Sequence, residues 1–253
     1  MTVKCLLMAC DYAGTPDELR GCQNDAKNLK EALVKSSVAA EHDITTVLEP
    51  TLCDMRDALY SLARSTHSED VSHVLVTWSG HGSFQRDENG DELDGADECL
   101  CPIDFASSGG LLDDELCRIV HSINHATRVT LLLDCCHSGT AVDQPWVFTG
   151  LRRTEPAGKG SCVCHPHVIA ISGCRDDQTS ADAYDSMRNQ FTGAMTCALL
   201  DCLRIEPTLI ADAPSMVAAI RVLLYERKMT QYPQLSCSRE YSTDMDLRVL
   251  PVP

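Results

Sequence analysis

The sequence predicts an α/β protein whose mainly parallel central β-sheet is flanked by helices on both faces. Short runs of apolar, often β-branched residues recur along the chain, and segments with an apolar period of about 3.6 residues lie between them. Continuous apolar runs are typical of parallel strands buried on both faces. Their alternation with amphipathic helices is typical of a sheet covered on both sides.

Six runs have the length and composition of strands, namely 5–9, 44–48, 74–78, 129–133, 168–171 and 234–237. Helical periodicity follows the first strand at Ala26, Leu29 and Leu33, and recurs around 58–62 and 116–123. Two later helices are predicted over 191–203 and, with Pro214 in a first-turn position, over 215–227.

Composition excludes several classes of protein. A chain of 253 residues with 44% hydrophobic and 23% charged residues is neither disordered, collagenous nor a coiled coil. The formal net charge of −16 disfavours nucleic acid and anionic membranes as partners. Fifteen cysteines, an odd number, with no secretory signal and no apolar run of about 18 residues, predict reduced thiols in a cytoplasmic protein.

Chemically useful side chains follow the predicted strands directly. Ligands of open parallel sheets bind beyond the carboxyl ends of the strands, so these positions are the first candidates for a site. They read Asp11, Ser-Gly-His-Gly at 79–82, Asp-Cys-Cys-His-Ser-Gly at 134–139 and Ser-Gly-Cys at 172–174. His81 is sterically open between two glycines, and Cys136 follows it by 55 residues.

A thiol beside an imidazole can be activated as a nucleophile. A free cysteine is only about 3% thiolate at pH 7, and a neighbouring histidine raises its reactivity. Cys135 and Cys136 point to opposite faces if the strand continues, so composition alone does not decide which is reactive. The alternative is that both are buried and pack as small hydrophobes.

Three segments together carry a family resemblance: Ser-Gly-His-Gly at 79–82, Asp-Cys-Cys-His-Ser-Gly at 134–139, and Ser-Gly-Cys-Arg-Asp-Asp-Gln-Thr-Ser-Ala-Asp-Ala at 172–183. They closely resemble the metacaspases. The order of His before Cys also matches the caspases, although the caspase pentapeptide is absent. The resemblance runs from 20–26 to 233–236, with the large-subunit-like region before the small-subunit-like region, as in type I members. Unlike many type I members, the sequence shows no N-terminal proline-rich or zinc-finger pro-region. The long linker of type II members is also missing.

The resemblance implies a caspase-like fold and one peptidase domain over 1–253. Within it we expect a large-subunit-like region at 1–147, a linker at 148–167 and a small-subunit-like region at 168–253. The resemblance makes Cys136 the nucleophile and His81 the group that takes and returns its proton. The main-chain N–H groups of Gly82 and Cys136 would form the oxyanion hole. We find no candidate for a third catalytic member.

Substrate preference is expected to follow negative charge. Asp134 lies two residues before Cys136, a spacing that returns both side chains to one face of an extended strand. Such a carboxylate favours Arg or Lys before the cut and disfavours Asp. The family's pocket pattern falls on Cys22, Asp25, Ser79 and Asp134. A salt-bridged or helix-capping Asp25 is the alternative. We expect peptide or protein substrates and a monomer.

An acidic stretch at 87–98 holds seven carboxylates in twelve positions. It is not an EF-hand, because Glu92 stands where that loop requires glycine. A solvated acidic loop is one interpretation. The metacaspase resemblance implies a calcium site made instead by Asp97, Asp113, Asp114 and Asp143, and hard oxygen ligands suit Ca²⁺. Asp113 is alternatively a helix N-cap.

The expected linker contains Cys-Val-Cys-His-Pro-His at 162–167, which lacks the paired knuckle of a zinc site. It also contains Arg152, Arg153 and Lys159, which are candidate self-cleavage sites. The sequence thus predicts a calcium-dependent cysteine endopeptidase specific for Arg or Lys. The competing hypotheses are a catalytically silent, calcium-responsive interaction module and a legumain-like or gingipain-like peptidase.

Overall fold

A computed structural model of the 253-residue chain describes residues 2–86, 96–135, 144–157, 167–173, 182–185 and 189–251. Its strands are β1 Thr2–Ala9, β2 Ile44–Leu48, β3 Val71–Ser79, β4 Gly82–Arg86, β5 Ala96–Leu100, β6 Leu111–Leu112, β7 Arg128–Asp134, β8 Trp146–Gly150, β9 Arg153–Pro156, β10 His167–Ser172, β11 Asp182–Asp185, β12 Gln190–Gly193 and β13 Gln234–Cys237. Its helices are α1 Cys22–Lys35, α2 Leu52–Ser68, α3 Phe105–Ser108, α4 Asp113–His121, α5 Ala194–Ile205 and α6 Ala213–Glu226, with short 3₁₀ helices at Glu41–Asp43 and Pro207–Ala211.

The central sheet is mainly parallel, as predicted. Within the described ranges its strand order is β2-β1-β3-β7-β10-β13-β8-β9. The first five strands are parallel to one another, and β13, β8 and β9 join by antiparallel pairing. Two smaller antiparallel sheets, β4-β5-β6 and β11-β12, lie apart from it.

Helices cover both faces of this sheet. Successive residues of β1 serve opposite faces, since Leu7 packs with α1, α5 and α6 whereas Leu6 packs with α2 and α4. Both side chains are fully buried. The apolar positions that predicted α1, Leu29 and Leu33 among them, belong to the first cluster. No helix in the described part of the chain is long and apolar enough to cross a bilayer.

Helix starts follow local sequence signals. Thr51 and Asp54 form a reciprocal capping box at the start of α2. Asp212 accepts a hydrogen bond from Ser215 N at 3.2 Å at the start of α6, and Pro214 occupies its first turn as the sequence predicted. The helix begins at Ala213, two residues before the expected 215.

The structure adds strands to one expected segment and differs from the expected start of another. The expected linker 148–167 contains the end of β8 and all of β9, because β8 pairs with β13 and buries Phe148. The helix expected over 191–203 begins only at Ala194. Residues 191–193 belong to β12, where they pair with β11. Both segments are short, and β9 and β12 pair with the strands next to them in sequence, β8 and β11. Only β8 also pairs with a distant strand, β13. Helical periodicity does not register either kind of pairing.

The strand registers bring several chain segments to one edge. Ala9 of β1 pairs with Ser79 of β3, Ser79 pairs with Asp134 of β7, and Leu133 pairs with Ser172 of β10. Paired strands lie about 4.8 Å apart. The residues that follow these four strand ends therefore emerge side by side.

At the opposite edge, the buried His73 and the partly buried His167 lie near the C-terminal segment. His73 Nε2 lies 2.9 Å from Thr130 Oγ1, which donates to Val249 O at 2.5 Å. His167 Nδ1 lies 3.2 Å from the Arg128 guanidinium. Burial, followed by the charge of Arg128, lowers the pKa of His73 to about 3 and that of His167 to about 4.

These histidines should make stability fall in mild acid. In the unfolded chain both imidazoles become protonated near pH 6.5. In the folded chain they stay neutral until about pH 4 or lower. Lowering the pH from 7 to 5 should therefore cost about 2 kcal/mol of unfolding free energy for each histidine. Urea unfolding at each pH measures it.

The matched variants are His73→Gln with His167→Gln, and exposed His42→Gln as control. The double variant should show a flatter pH dependence than the wild type, and the control should not. Parallel curves for the double variant and the wild type would contradict this assignment.

Candidate active site

His81 stands just beyond the end of β3, partly exposed at the edge where the strand ends meet. Gly80 permits this path, because a Cβ there would lie 2.6 Å from the Trp78 ring. The imidazole Nε2 lies 2.8 Å from the main-chain oxygen of Asp17. A carbonyl only accepts, so Nε2 carries the hydrogen and Nδ1 carries the lone pair of the neutral ring.

The Asp17 carbonyl is a contact that sequence reasoning missed. We expected no third member beside the pair of His81 and Cys136. A main-chain oxygen orients the imidazole, and it stabilises positive charge on the ring by accepting from Nε2–H. No sequence signal identifies such a group, since every residue has a carbonyl.

Cys136 itself lies outside the described residues, as do Asp143 and Lys159. The chain leaves β7 at Asp134, and Cys135 is fully buried among apolar side chains of the α2 and α4 face. The buried alternative therefore holds for Cys135. Gly80 N donates to Asp134 O at 3.4 Å, which ties the two strand ends together. Gly82 opens β4 opposite Leu100 of β5.

Two predicted pocket residues, Asp25 and Asp134, are buried carboxylates. Asp25, in the first turn of α1, accepts from Gly193 N at 3.0 and 2.9 Å. Asp134 accepts from both the main-chain N and the Oγ1 of Thr196, at 2.8 and 2.9 Å. These contacts join α1 and β7 to the β12–α5 segment, so Asp25 makes a long-range contact in addition to its place in a helix turn.

Gly193 brings the two carboxylates to one point. A Cβ on this residue would lie 2.3 Å from Asp134 Oδ2 and 2.7 Å from Asp25 Oδ2. The other two predicted pocket residues are also buried nearby. Cys22 begins α1, where its N–H donates to Asp11, and Ser79 is the register partner of Asp134. The structure thus groups all four around the ends of β1, β3 and β7.

The predicted metal ligands that the structure describes lie where β5 meets α4. Asp97 on β5 and Asp113 at the first residue of α4 are buried, and Asp114 follows. Asp113 accepts from Glu98 N at 3.2 Å and from Asp114 N at 2.9 Å. The N-cap position is Leu112, so the alternative interpretation of Asp113 as N-cap is wrong by one residue.

Glu98 was absent from the predicted ligand set, yet it is buried beside Asp97 on β5. Buried carboxylates supply the hard oxygen donors that suit Ca²⁺. The described residues alone contain no group of three His, Cys, Asp or Glu side chains placed to hold a metal ion. The donor chemistry fits calcium, and the fourth expected ligand, Asp143, falls outside that search.

Two of the expected self-cleavage residues adjoin the β8–β9 hairpin. Arg152 lies in its turn and pairs with Asp212 at 2.7 Å, while Arg153 begins β9 and pairs with Glu155 at 2.6 Å. Both side chains are more than half exposed. The main chain here is thus on the surface, at the last strand pair of the sheet.

A mainly parallel sheet of this strand order, covered by helices on both faces, with a histidine just beyond one strand and buried acids beside it, is typical of the caspase-like α/β class. Comparison with known proteins agrees. The family model described as "Metacaspase, peptidase C14 domain" matches residues 3–145. The chain belongs to the metacaspase family.

The curated relatives include proteins named Metacaspase-1 from several organisms. The protein from Arabidopsis thaliana is 35% identical over 219 residues, covering 79% of this chain and 59% of its own. Those from Yarrowia lipolytica and Ajellomyces capsulatus are 31% and 30% identical, covering 98% and 96% of this chain and 63% and 81% of their own. The chain thus spans about three fifths of the length of the Arabidopsis thaliana and Yarrowia lipolytica relatives.

One solved structure supports the fold alone. The crystal structure of protein GSU0716 from Geobacter sulfurreducens superposes with a TM-score of 0.68 at 22% identity. The match covers 98% of this chain and 97% of that one. The caspase-like α/β fold expected from the sequence is confirmed.

Gly193→Ala should destabilise the protein because the new methyl group would collide with two buried carboxylates. We expect a loss of about 1–3 kcal/mol in the free energy of unfolding, measured in urea. Gly150→Ala is the matched control, since a Cβ at that strand residue meets nothing within 4 Å. Equal unfolding midpoints for the two variants would contradict the crowded geometry at Gly193.

Proposed function

We propose that this chain is a cysteine endopeptidase that cleaves peptide or protein substrates after Arg or Lys, with Cys136 as nucleophile and His81 as its base. The register of Ser79 with Asp134 carries this proposal. His81 and Cys136 each follow that pair by two residues. Because these two strands are adjacent and parallel, the proposal has the Cys136 thiol emerge at the same edge of the sheet as the His81 imidazole.

The chemistry follows from the nitrogen assignments. His81 Nδ1 accepts the Cys136 proton, and the thiolate adds to the scissile carbonyl. Gly82 N–H and Cys136 N–H would stabilise the oxyanion. The imidazolium then protonates the leaving amine, while Nε2–H remains bonded to the Asp17 carbonyl. Water, deprotonated by the same nitrogen, hydrolyses the thioester.

Specificity for a basic residue is supported by the paired acids. Asp25 and Asp134 are buried within reach of one point beside Gly193. Gly193 N–H donates to Asp25, and the N–H and hydroxyl of Thr196 donate to Asp134. Such donors stabilise the negative charge of a carboxylate without neutralising it. A guanidinium or ammonium group would be attracted there, whereas a substrate carboxylate would be repelled. Cys22 and Ser79 would complete the walls.

Calcium dependence is supported by the chemistry of the acidic site. Asp97, Asp113, Asp114 and Asp143 would hold a Ca²⁺ ion, which supplies positive charge among buried carboxylates. The first of these lies on β5, whose Leu100 pairs with Gly82. Cys101, the residue after Leu100, donates its N–H to His81 O at 3.1 Å. Order at the acidic site would thus be transmitted to His81.

Self-cleavage after Arg152, Arg153 or Lys159 is part of the same proposal, since these residues match the expected specificity. The monomeric state, the cytoplasmic location and the lack of nucleic-acid or membrane partners stay predictions from the sequence. The histidine held at the strand end favours a peptidase over a silent interaction module.

The activity assay compares fluorogenic peptides that end in Arg, Lys and Asp. We expect cleavage of the first two only, abolished by Cys136→Ala and reduced at least about 100-fold by His81→Ala. Asp134→Asn should lower kcat/KM for the Arg peptide at least tenfold, because it removes buried charge from the pocket. Exposed Asp70→Asn serves as control. Cleavage after Asp, or full activity of Cys136→Ala, would refute the proposal.

The calcium proposal predicts that added Ca²⁺ raises both the melting temperature and the activity, and that a chelator abolishes the activity. Asp113→Asn should weaken both responses, whereas Asp70→Asn should not. Denaturing gels of the same samples report self-cleavage, and Arg152→Gln, Arg153→Gln and Lys159→Gln identify the bond. Full activity in excess chelator, with no shift in melting, would exclude a calcium requirement. An unchanged band after calcium addition would exclude processing.

A further inference from the structure

Tyr12 has an unusual backbone for a buried aromatic residue. Its φ of 53° lies in the left-handed region, which bulky side chains rarely adopt. The conformation is held by Glu49, whose carboxylate accepts from Asp11 N at 2.7 Å and from Tyr12 N at 3.2 Å. Strained residues that neighbouring groups hold in place concentrate at functional sites. The Tyr12 side chain points to such a role, because it contacts His81.

The Tyr12 hydroxyl joins the two chain segments that border His81. It accepts from His81 N at 2.8 Å and donates to Cys101 O at 2.6 Å. Burial raises the pKa of Tyr12, so the hydroxyl keeps its proton and remains a donor. Cys101 N in turn donates to His81 O at 3.1 Å. The three residues thus form a closed cycle that holds His81 at both its N–H and its carbonyl.

The Tyr12 ring also contacts the imidazole directly. The two ring centroids are 4.7 Å apart, with an angle of 38° between the planes. The Tyr12 carbonyl accepts from Thr15 N at 3.0 Å and from Thr15 Oγ1 at 2.8 Å. That turn leads to Asp17, whose carbonyl holds Nε2. Tyr12 therefore acts on the main chain, on one face of the ring and on the turn before its orienting partner.

We propose that Tyr12 is a positioning residue for His81, which fixes the imidazole so that Nδ1 is presented to the Cys136 thiol. This inference rests on the proposed peptidase function. A displacement of about 1 Å in a reacting group costs about 100-fold in rate, whereas substrate binding in the acidic pocket does not depend on the imidazole. Loss of the Tyr12 hydroxyl should therefore lower kcat and leave KM nearly unchanged.

Tyr12→Phe tests this, because it keeps the ring and removes the hydroxyl. The matched control is Thr127→Val, which removes another buried hydroxyl that donates to a main-chain carbonyl, Val71 O at 2.8 Å, at the opposite edge of the sheet. Thermal melts set an assay temperature at which all proteins are folded. We expect kcat to fall 10- to 100-fold in Tyr12→Phe with KM within twofold, and to change less than twofold in Thr127→Val.

Alkylation separates this inference from the proposed function. The rate of iodoacetamide modification at Cys136, measured by mass spectrometry with exposed Cys53 as internal reference, needs no peptide turnover. It should slow in both Tyr12→Phe and His81→Ala. If the wild type cleaves no peptide, the proposed function fails, and the alkylation rates alone decide the role of Tyr12. A Tyr12→Phe variant equal to Thr127→Val in kcat, or equal to wild type in alkylation, overturns the inference.

Discussion

The rest of the site depends on the contacts of one buried carboxylate, that of Asp134. It ends β7, pairs in register with Ser79, and accepts two hydrogen bonds from Thr196 at the start of α5. A buried charge without such donors would be strongly unfavourable. One side chain thus fixes the strand that leads to Cys136, the strand that leads to His81 and the first helix after the expected linker.

The surroundings of Asp134 are built from glycines. A Cβ on Gly173 would lie 2.9 Å from Asp134 Oδ1, and one on Gly193 would lie closer still to Oδ2. Main-chain atoms therefore approach the carboxylate from the residue after β10 and from the last residue of β12. The second acid, Asp25, reaches the same place from α1. Polar N–H groups make this concentration of negative charge tolerable, and a basic substrate side chain would compensate it further.

Much of this arrangement could be predicted from the sequence. The apolar runs at 44–48 and 234–237 coincide with β2 and β13, and the others fall within β1, β3, β7 and β10. The position of polar residues at strand ends indicated the site, since parallel strands bring their carboxyl ends together. Asp25 and Asp134 were assigned to one pocket by family resemblance, and the structure places them beside the same glycine.

Other features had no local signal. The strands β8, β9 and β12 are short, and their pairing outweighs the helix or loop preference of their own residues. β9 and β12 pair with the neighbouring β8 and β11, and β8 pairs also with the distant β13. The Asp17 contact to His81 uses a main-chain oxygen. Glu98 stood within the acidic stretch, where charge density alone does not distinguish a buried carboxylate from a solvated one. These features follow from tertiary packing, which neither periodicity nor spacing encodes.

A crystal structure of the protein bound to a peptide inhibitor with arginine before a thiol-reactive group would test the central claim most directly. The account predicts a covalent bond to Cys136 Sγ, with His81 Nδ1 within about 4 Å of that sulfur. The arginine guanidinium should be directed toward the carboxylates of Asp25 and Asp134. An inhibitor bonded elsewhere, an imidazole turned away from the sulfur, or an arginine directed to solvent would contradict it.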